Sequence, residues 1–246
     1  ESFYNECLQK IPFINDLLKP LFKTEVFIKQ VDRFNFGGIF EHLIFNPFEA
    51  QIDTGNMMQA LLKKAHQNDI LILNNQTVTH HQELNDGVEV VTNGFTFKTN
   101  KLIFTTNGFA AQLTNNQVQP ARAQVLITKP IPNLDLKGTF HLDEGYYYFR
   151  NINHRVLLGG GRNLDFEGET TTSHDTTELI QNRLEELLKN VILPQTQFEI
   201  DHRWSGTMGI GAHKKPIVEQ LSNHVYCGVR MGGMGVAIGS ICLLYT

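Results

Sequence analysis

The feature that most constrains the fold is a glycine-rich string near the C-terminus. Residues 225–229 are apolar in the manner of a buried strand, and Gly232, Gly233 and Gly235 follow directly. An apolar run that begins like a helix comes next. Glycines let the backbone approach a ligand closely, and a helix N-terminus offers unpaired N–H groups. A tight strand-to-helix turn and a cofactor site both explain the string. A Walker phosphate loop does not, because no Lys-Ser/Thr pair follows.

Helical and strand periodicities alternate along the rest of the chain. Near the N-terminus, Pro12 and Pro20 are predicted to break a helical pattern into short pieces. Residues 57–65 have apolar positions at helical spacing, and the apolar run 70–73 that follows predicts a strand. Period-two alternation around Asn93-Gly94 predicts a β-hairpin.

This alternation predicts a mixed α/β (α+β) chain with two interleaved domains. An incomplete Rossmann-like α/β domain is expected from residues 55–115 and 205–246. A mostly antiparallel sheet is expected from residues 1–54 and 116–204, where the chain is rich in β-formers and aromatic residues.

The composition narrows the classes of function. A net charge of -4 without a long Lys/Arg run argues against nucleic acid as the main partner. No stretch of about 18 apolar residues occurs, so no transmembrane segment is expected. Cys7, Cys227 and Cys242 lack C-x-x-C spacing, and His80 and His81 would point to opposite faces of a strand. We therefore expect a reducing, cytoplasmic environment and no metal site.

Five further segments occur in a recognisable order: IDTGNMMQALLKKA, LIFTTNGFA, QPARAQVLITKP, RWSGTMG and KKPIVEQL. They resemble segments of the D-amino-acid-oxidase and glycine-oxidase family of FAD-dependent oxidoreductases, and the C-terminal string resembles that family's closing signature. The resemblance covers nearly the whole chain, although Ala123 stands where glycine is usual. The family's G-x-G-x-x-G turn, part of a βαβ unit of about 30 residues, is not found. We therefore expect a fragment that lacks this N-terminal unit; the alternative is a protein that has lost cofactor binding.

The resemblance implies FAD as the cofactor and makes the Rossmann-like domain a partial FAD-binding domain. Val78 would present backbone atoms to the adenosine half of FAD, although a plain core strand residue is the simpler interpretation. The positions implied near the ribose and phosphates are Thr106, Asn107 and Gly108. The positions implied along the isoalloxazine are Arg230, Met231, Gly232, Gly233, Met234 and Gly235.

A run of aromatic residues supplies two candidates for the substrate side. Alternation places Tyr147 and Phe149 on one face of a strand, and Tyr146, Tyr148 and Arg150 on the other. The resemblance places Tyr147 where the family has a substrate-contacting tyrosine, while aromatic packing in a sheet is the alternative. Arg150 could reach a substrate carboxylate, or it could be a solvated surface charge.

Two more arginines complete the catalytic candidates. Arg122 holds the family's basic position near the mouth of the active site. Arg162 follows a glycine run and could face the same pocket, although a plain turn also explains those glycines.

The resemblance implies an oxidoreductase that passes a hydride from an amine-bearing carbon to FAD, with a small amine or amino acid as its partner. The family's positions for a charged carboxylate anchor are held here by Met208, Gly233 and Ala237. Either one of the three arginines above supplies the anchor, or the substrate is not a small free amino acid. A flavin-dependent dehydrogenase of a hydroxy acid and a non-catalytic binding module remain alternatives. The sequence indicates no oligomeric state.

Overall fold

The computed structural model describes residues 2–40, 42–113 and 118–244, with the backbone alone for Ser2 and residues 240–244. Cys242 therefore falls outside the described side chains. The helices are α1 (Ser2–Phe22), α2 (Thr54–Gln67), α3 (Glu178–Leu187) and α4 (Gly235–Leu244). The strands are β1 (Ile28–Val31), β2 (His42–Phe45), β3 (Val78–Leu84), β4 (Gly87–Thr92), β5 (Thr96–Thr99), β6 (Leu102–Phe104), β7 (Gln119–Thr128), β8 (Thr139–Leu142), β9 (Tyr147–Ile152), β10 (Arg155–Gly160), β11 (Ile200–Ile210), β12 (Ile217–Gln220) and β13 (Val225–Val229).

The chain divides into two compact units. Unit 1 comprises Glu1–Met58, Val125–Gly160 and Gln181–Arg203. Unit 2 comprises Gln59–Gln124, Gly161–Ile180 and Trp204–Thr246. Both units are assembled from separated segments, because strands β7 and β11 run from one unit into the other. The assignment of these units to cofactor and substrate stays a prediction.

An antiparallel sheet dominates unit 1. Its strand order is β11-β7-β10-β9-β8, and β9 pairs antiparallel with both β8 and β10. Period-two alternation gives this sheet a buried face, where Tyr147, Phe149, Val156 and Leu158 lie. The side chain of Arg183 on α3 lies beside that of Tyr147, which places α3 on that face. The mixed fold with antiparallel sheets expected from the sequence is confirmed.

Unit 2 contains a small sheet of order β12-β13-β6 and a meander of order β3-β4-β5. Strands β13 and β6 are parallel, whereas β12 is antiparallel to β13. The hairpin predicted at Asn93-Gly94 joins β4 to β5. The core of unit 2 consists of buried residues from these strands and the segments beside them: Val88, Val90, Phe104, Ala110, Val118, Val225, Cys227 and Val229.

Two local predictions are wrong. Pro12 and Pro20 do not divide the N-terminal helix, because α1 continues from Ser2 to Phe22 with both prolines inside it. Residues 70–73 form no strand, and Ile70 and Leu71 are exposed. An extended segment becomes a strand only when a neighbouring strand supplies its hydrogen bonds, and none pairs with this one in the described structure.

No described helix is both long and apolar enough to cross a membrane. Across the residues whose placement is described, no group of three or more His, Cys, Asp or Glu side chains is arranged to hold a metal ion.

Candidate functional site

The glycine-rich string forms a turn between β13 and α4 in unit 2. Arg230 has a φ of 60° and Gly232 a φ of 58°, so the backbone is left-handed at these two positions of the turn. Glycine adopts that conformation without a steric penalty, which explains its presence at position 232. Helix α4 begins at Gly235. The strand-turn-helix arrangement predicted from the sequence is present.

Two hydrogen bonds fix this turn to neighbouring segments of unit 2. The Asn107 side-chain Oδ1 accepts a hydrogen bond from the Met231 N–H at 3.0 Å. The Gly232 N–H donates to the carbonyl of Gly209 at 3.0 Å. Because β6 and β13 are parallel, their carboxyl ends meet at the same edge, so Asn107 and the turn lie together.

Close backbone packing explains two more glycines at this edge. A Cβ on Gly108 would lie 2.7 Å from the Met208 carbonyl oxygen and 2.8 Å from the Thr207 Cγ2. A Cβ on Gly209 would lie 2.7 Å from the Asn107 Oδ1. Strand β11 therefore approaches the residues after β6 more closely than any side chain would permit. This contact supports the position of Asn107 and, through it, the glycine-rich turn.

The turn presents unpaired donors and open space. In the described part of the chain, the N–H groups of Gly233, Gly235 and Val236 have no hydrogen-bond partner. No heavy atom lies within 4 Å of a Cβ placed on Gly232. Donors that precede a helix favour an electronegative ligand edge, because the helix dipole adds to their partial positive charge. The turn can therefore bind a ligand that presents acceptor atoms.

Val78 and Thr106 are two of the predicted cofactor positions outside this turn. Val78 is partly buried against the core of unit 2, as expected of an ordinary strand residue. Thr106 is exposed and precedes the 3-10 helix Asn107–Gln112, where its carbonyl accepts the Phe109 N–H at 2.9 Å. Cofactor contacts at both positions stay predictions.

The neighbouring tyrosines Tyr147 and Tyr148 lie on opposite faces of the unit 1 sheet. Tyr147 is only 2% exposed and lies on the buried face beside Arg183. The other face, which we call the Tyr148 face, carries Thr139, His141, Tyr148, Arg150 and Leu157. A substrate contact of Tyr147 stays a prediction. Tyr148, which sequence reasoning did not single out, lies on the same face as Arg150, as the alternation predicted.

Tyr148 has a defined position on its face. Its ring atoms lie 2.6 Å from where a Cβ of Gly159 would be, so the ring lies across a glycine on β10 that makes room for it. Burial raises the pKa of the Tyr148 phenol. The hydroxyl therefore remains protonated at neutral pH and can donate a hydrogen bond.

Arg150 lies two residues along the same face. Its guanidinium donates to the carbonyl of Ile52 and, within the described residues, forms no ion pair. Thr139 is its direct partner on β8, and Leu157 its partner on β10. Arg150 is half-buried, so a charge without a counterion lies in a partly desolvated place. Such a group is suited to bind an anionic ligand.

Arg122, on β7 in unit 2, is in a different environment. It is 6% exposed and forms two hydrogen bonds with the fully buried Glu169, Nε to Oε2 at 2.9 Å and Nη2 to Oε1 at 2.6 Å. Hydrogen bonding to Glu169 raises the pKa of the Arg122 guanidinium. Gln124 also donates to Glu169, at 2.9 Å, and accepts from the Thr177 N–H at 2.9 Å. The Arg122 charge is thus already neutralised by a protein carboxylate.

Arg162 follows β10 and lies in unit 2. Its guanidinium lies over the ring of Phe166, with 5.0 Å from Cζ to the ring centroid. Catalytic roles of Arg122 and Arg162 stay predictions. A groove of unit 1, about 800 Å³ in volume, is lined by residues 129–132, Lys189 and residues 193–199, and contains none of the predicted positions.

Comparison with known proteins identifies the family. The model of the DAO family, described as FAD dependent oxidoreductase, matches residues 22–242. A search of the curated proteins gives no match.

Solved structures share the fold at low sequence identity. Glycine oxidase from Bacillus cereus ATCC 14579 superposes with a TM-score of 0.79 at 13% identity, covering 96% of this chain and 68% of that chain. Glycine oxidase from Geobacillus kaustophilus superposes with a TM-score of 0.72 at 11% identity, covering 96% of this chain and 75% of that chain. L-Proline dehydrogenase from P. horikoshii superposes with a TM-score of 0.67 at 18% identity, covering 79% of this chain and 55% of that chain.

The chain thus spans between 55% and 75% of the length of these three structures. At such identities the likeness concerns the fold alone. The family match, by contrast, extends over nearly the whole sequence. The chain belongs to the DAO family of FAD-dependent oxidoreductases.

Proposed function

We propose that the protein oxidises an amine or amino acid with FAD as the hydride acceptor. The observation that supports this most is the turn from Arg230 to Gly235. It is clamped by Asn107 and Gly209 and presents unpaired N–H groups at the start of α4. These donors, with open space beside Gly232, fit the acceptor-rich edge of a flavin.

Unit 2 supplies the residues that would hold FAD. The N–H groups of Gly233, Gly235 and Val236 would donate to the flavin ring, with Met231 and Met234 beside them. When bound, FAD supplies the acceptor that takes a hydride from the carbon bearing the amine and leaves an imine. The other predicted FAD contacts belong to this proposal: Val78, Thr106, Asn107, Gly108, Arg230 and Gly232.

Unit 1 supplies the residues that we propose for the substrate. Arg150 offers a planar fork of donors that is not used by a carboxylate of the described protein, and so suits a substrate carboxylate. The neutral phenol of Tyr148 donates a hydrogen bond and helps to orient the substrate. Arg122 is the weaker anchor, because a second carboxylate would have to compete with Glu169. Arg162 and Tyr147 remain further candidates.

A substrate panel tests the proposal. Peroxide release and dye reduction are measured with glycine, sarcosine and D-amino acids on the protein supplied with FAD, and protein without FAD is the control. We expect turnover of at least one amine. Absence of turnover with every amine, while a hydroxy acid reduces the dye, would assign the protein to hydroxy-acid oxidation instead.

Single replacements of Arg122, Arg150 and Arg162 by Ala locate the anchor. We expect Arg150→Ala to raise the Michaelis constant most for substrates that carry a carboxylate. Turnover of glycine that survives all three replacements would exclude these arginines as the anchor.

A further inference from the structure

The tetrapeptide TNGF occurs twice in unit 2, at residues 92–95 and 106–109. In an Asn-Gly pair the glycine has no Cβ, so its backbone nitrogen can reach the side-chain Cγ of the asparagine without steric hindrance. Because their neighbours are identical, both asparagines have the same intrinsic tendency to lose the side-chain amide as ammonia. A difference between Asn93 and Asn107 in the folded protein therefore comes from the structure.

The first copy lies in an open turn. It joins β4 to β5, and Asn93 and Gly94 are both exposed. The Asn93 Oδ1 accepts a hydrogen bond from the Thr77 N–H at 3.0 Å, and a donor there stabilises the negative charge that develops on Oδ1 when a nucleophile attacks Cγ. The Gly94 N–H donates to the Thr92 Oγ1 at 3.2 Å, so a hydroxyl oxygen lies where the proton of the attacking nitrogen must leave.

The second copy is enclosed by its neighbours. Asn107 is half-buried and Gly108 is buried. Its Oδ1 also accepts a backbone hydrogen bond, from the Met231 N–H at 3.0 Å. However, a Cβ on Gly209 would lie 2.9 Å from the carbonyl carbon of Asn107 and 3.0 Å from the nitrogen of Gly108. The backbone of β11 therefore covers the peptide bond that would have to move, and movement in a closely packed region displaces neighbouring atoms.

We propose that Asn93 is a site of spontaneous deamidation in the folded protein, whereas Asn107 is protected. The Gly94 nitrogen forms a bond to the Asn93 Cγ, the bond from Cγ to Nδ2 breaks, and ammonia leaves with the proton of the Gly94 N–H. Water then opens the cyclic imide at either carbonyl, which gives aspartate or isoaspartate. Both products carry a carboxylate in place of the amide. This inference does not depend on the proposed function.

The isoaspartate product changes the hairpin itself. Its main chain runs through the Cβ of residue 93, so the turn becomes longer. Turn length sets the register of a hairpin, and the Thr92 N–H donates to the Phe95 carbonyl at 2.9 Å across this turn. Strand β4 contributes Val88 and Val90 to the core of unit 2. Deamidation to isoaspartate is therefore expected to destabilise unit 2.

Peptide mapping by mass spectrometry compares the two sites in one sample. Folded protein is incubated in mildly alkaline buffer and digested with trypsin, which cuts after Lys98 and Lys101 and so separates the two copies. The readout is the mass change from amide to carboxylic acid, assigned to a residue by fragment spectra. We expect Asn93 to react at least about tenfold faster than Asn107. The same incubation in urea is the control, where both should react at equal rates.

Gly94→Ala is the matched variant for the mechanism. The φ of Gly94 lies outside the left-handed region, and an added Cβ meets the movable end of the Gln76 side chain at 2.7 Å, so the hairpin should still form. The methyl group hinders the attacking nitrogen, and deamidation of Asn93 should slow about tenfold or more. Gly55→Ala, in α2, is the control and should leave the rate unchanged.

Thermal unfolding tests the consequence. Ion exchange separates the deamidated protein by its additional negative charge, and the fraction that contains isoaspartate should melt at a lower temperature than Asn93→Asp, which carries the charge without the longer main chain. Equal rates at Asn93 and Asn107 in the folded protein would overturn the inference. So would the absence of reaction at Asn93, or a rate there that Gly94→Ala does not change.

Discussion

Arg122 and Arg150 are both strand arginines with planar guanidinium groups, yet their surroundings differ. Arg122 is almost fully buried and shares two hydrogen bonds with Glu169, which is fully buried as well. Arg150 is half-buried and donates to a carbonyl, without an ion pair among the described residues. A charge that the protein already neutralises stabilises the fold, whereas an unneutralised one can bind an anion. The comparison therefore separates an arginine that the fold already neutralises from one that we propose binds a ligand.

The largest expected effect comes from removing the partner of Arg122. Glu169→Ala leaves a buried guanidinium unpaired and also removes an acceptor from Gln124. We expect a loss of about 3–5 kcal/mol in the free energy of unfolding, measured by denaturant titration.

Glu199→Ala is the matched control, since Glu199 pairs with Lys129 in an exposed ion pair. Its denaturation midpoint should be almost unchanged. Equal effects of the two replacements would show that burial of the Arg122–Glu169 pair has no structural importance.

The two faces of β9 give the second prediction. Tyr148→Phe removes a donor from the face of Arg150 and should lower kcat/KM about fivefold to tenfold, with stability nearly unchanged. Tyr147→Phe removes the buried hydroxyl beside Arg183 and should lower stability by about 1 kcal/mol, with a small effect on KM. Steady-state kinetics and thermal unfolding, measured on both variants, test this prediction. The reverse pattern would assign the substrate contact to Tyr147, as the family resemblance implies.

A smaller effect concerns pH. Burial raises the pKa of Tyr148 above its ordinary value of 10.0. The unfolded chain then loses this proton at lower pH than the folded protein does, so the contribution to stability is complete below about pH 10 and declines as pH rises toward the folded-state pKa. The melting temperature of the wild type should therefore fall more steeply above pH 10 than that of Tyr148→Phe. Parallel curves would show that Tyr148 is not desolvated.

Local signals predicted much of the fold. The Asn93-Gly94 hairpin depends on two residues, and the glycine-rich turn on a string of neighbours, so both could be predicted from sequence. The predicted helix break at Pro12 was wrong, because contacts outside the helix also stabilise α1. Asn15 Oδ1 accepts hydrogen bonds from the Val26 and Phe27 N–H groups. Tertiary contacts of this kind override proline's local preference.

The candidate site was less predictable, since its key contacts join distant residues. Glu169 lies 47 positions from Arg122 in sequence, and nothing near either residue indicates the pair. Alternation separated Tyr147 from Tyr148, but it could not show which of the two faces α3 would cover.

The most direct test of the central claim is anaerobic flavin reduction by phenylalanine and by 2-phenylethylamine, its analogue without the carboxylate. If Arg150 binds the carboxylate, Arg150→Ala should raise the phenylalanine concentration at half-maximal rate about 10- to 100-fold. In the same variant, the 2-phenylethylamine concentration at half-maximal rate should be unchanged. Equal effects on both amines, or reduction of FAD by neither, would contradict the assignment of Arg150 as the substrate-binding arginine of an amine-oxidising flavoprotein.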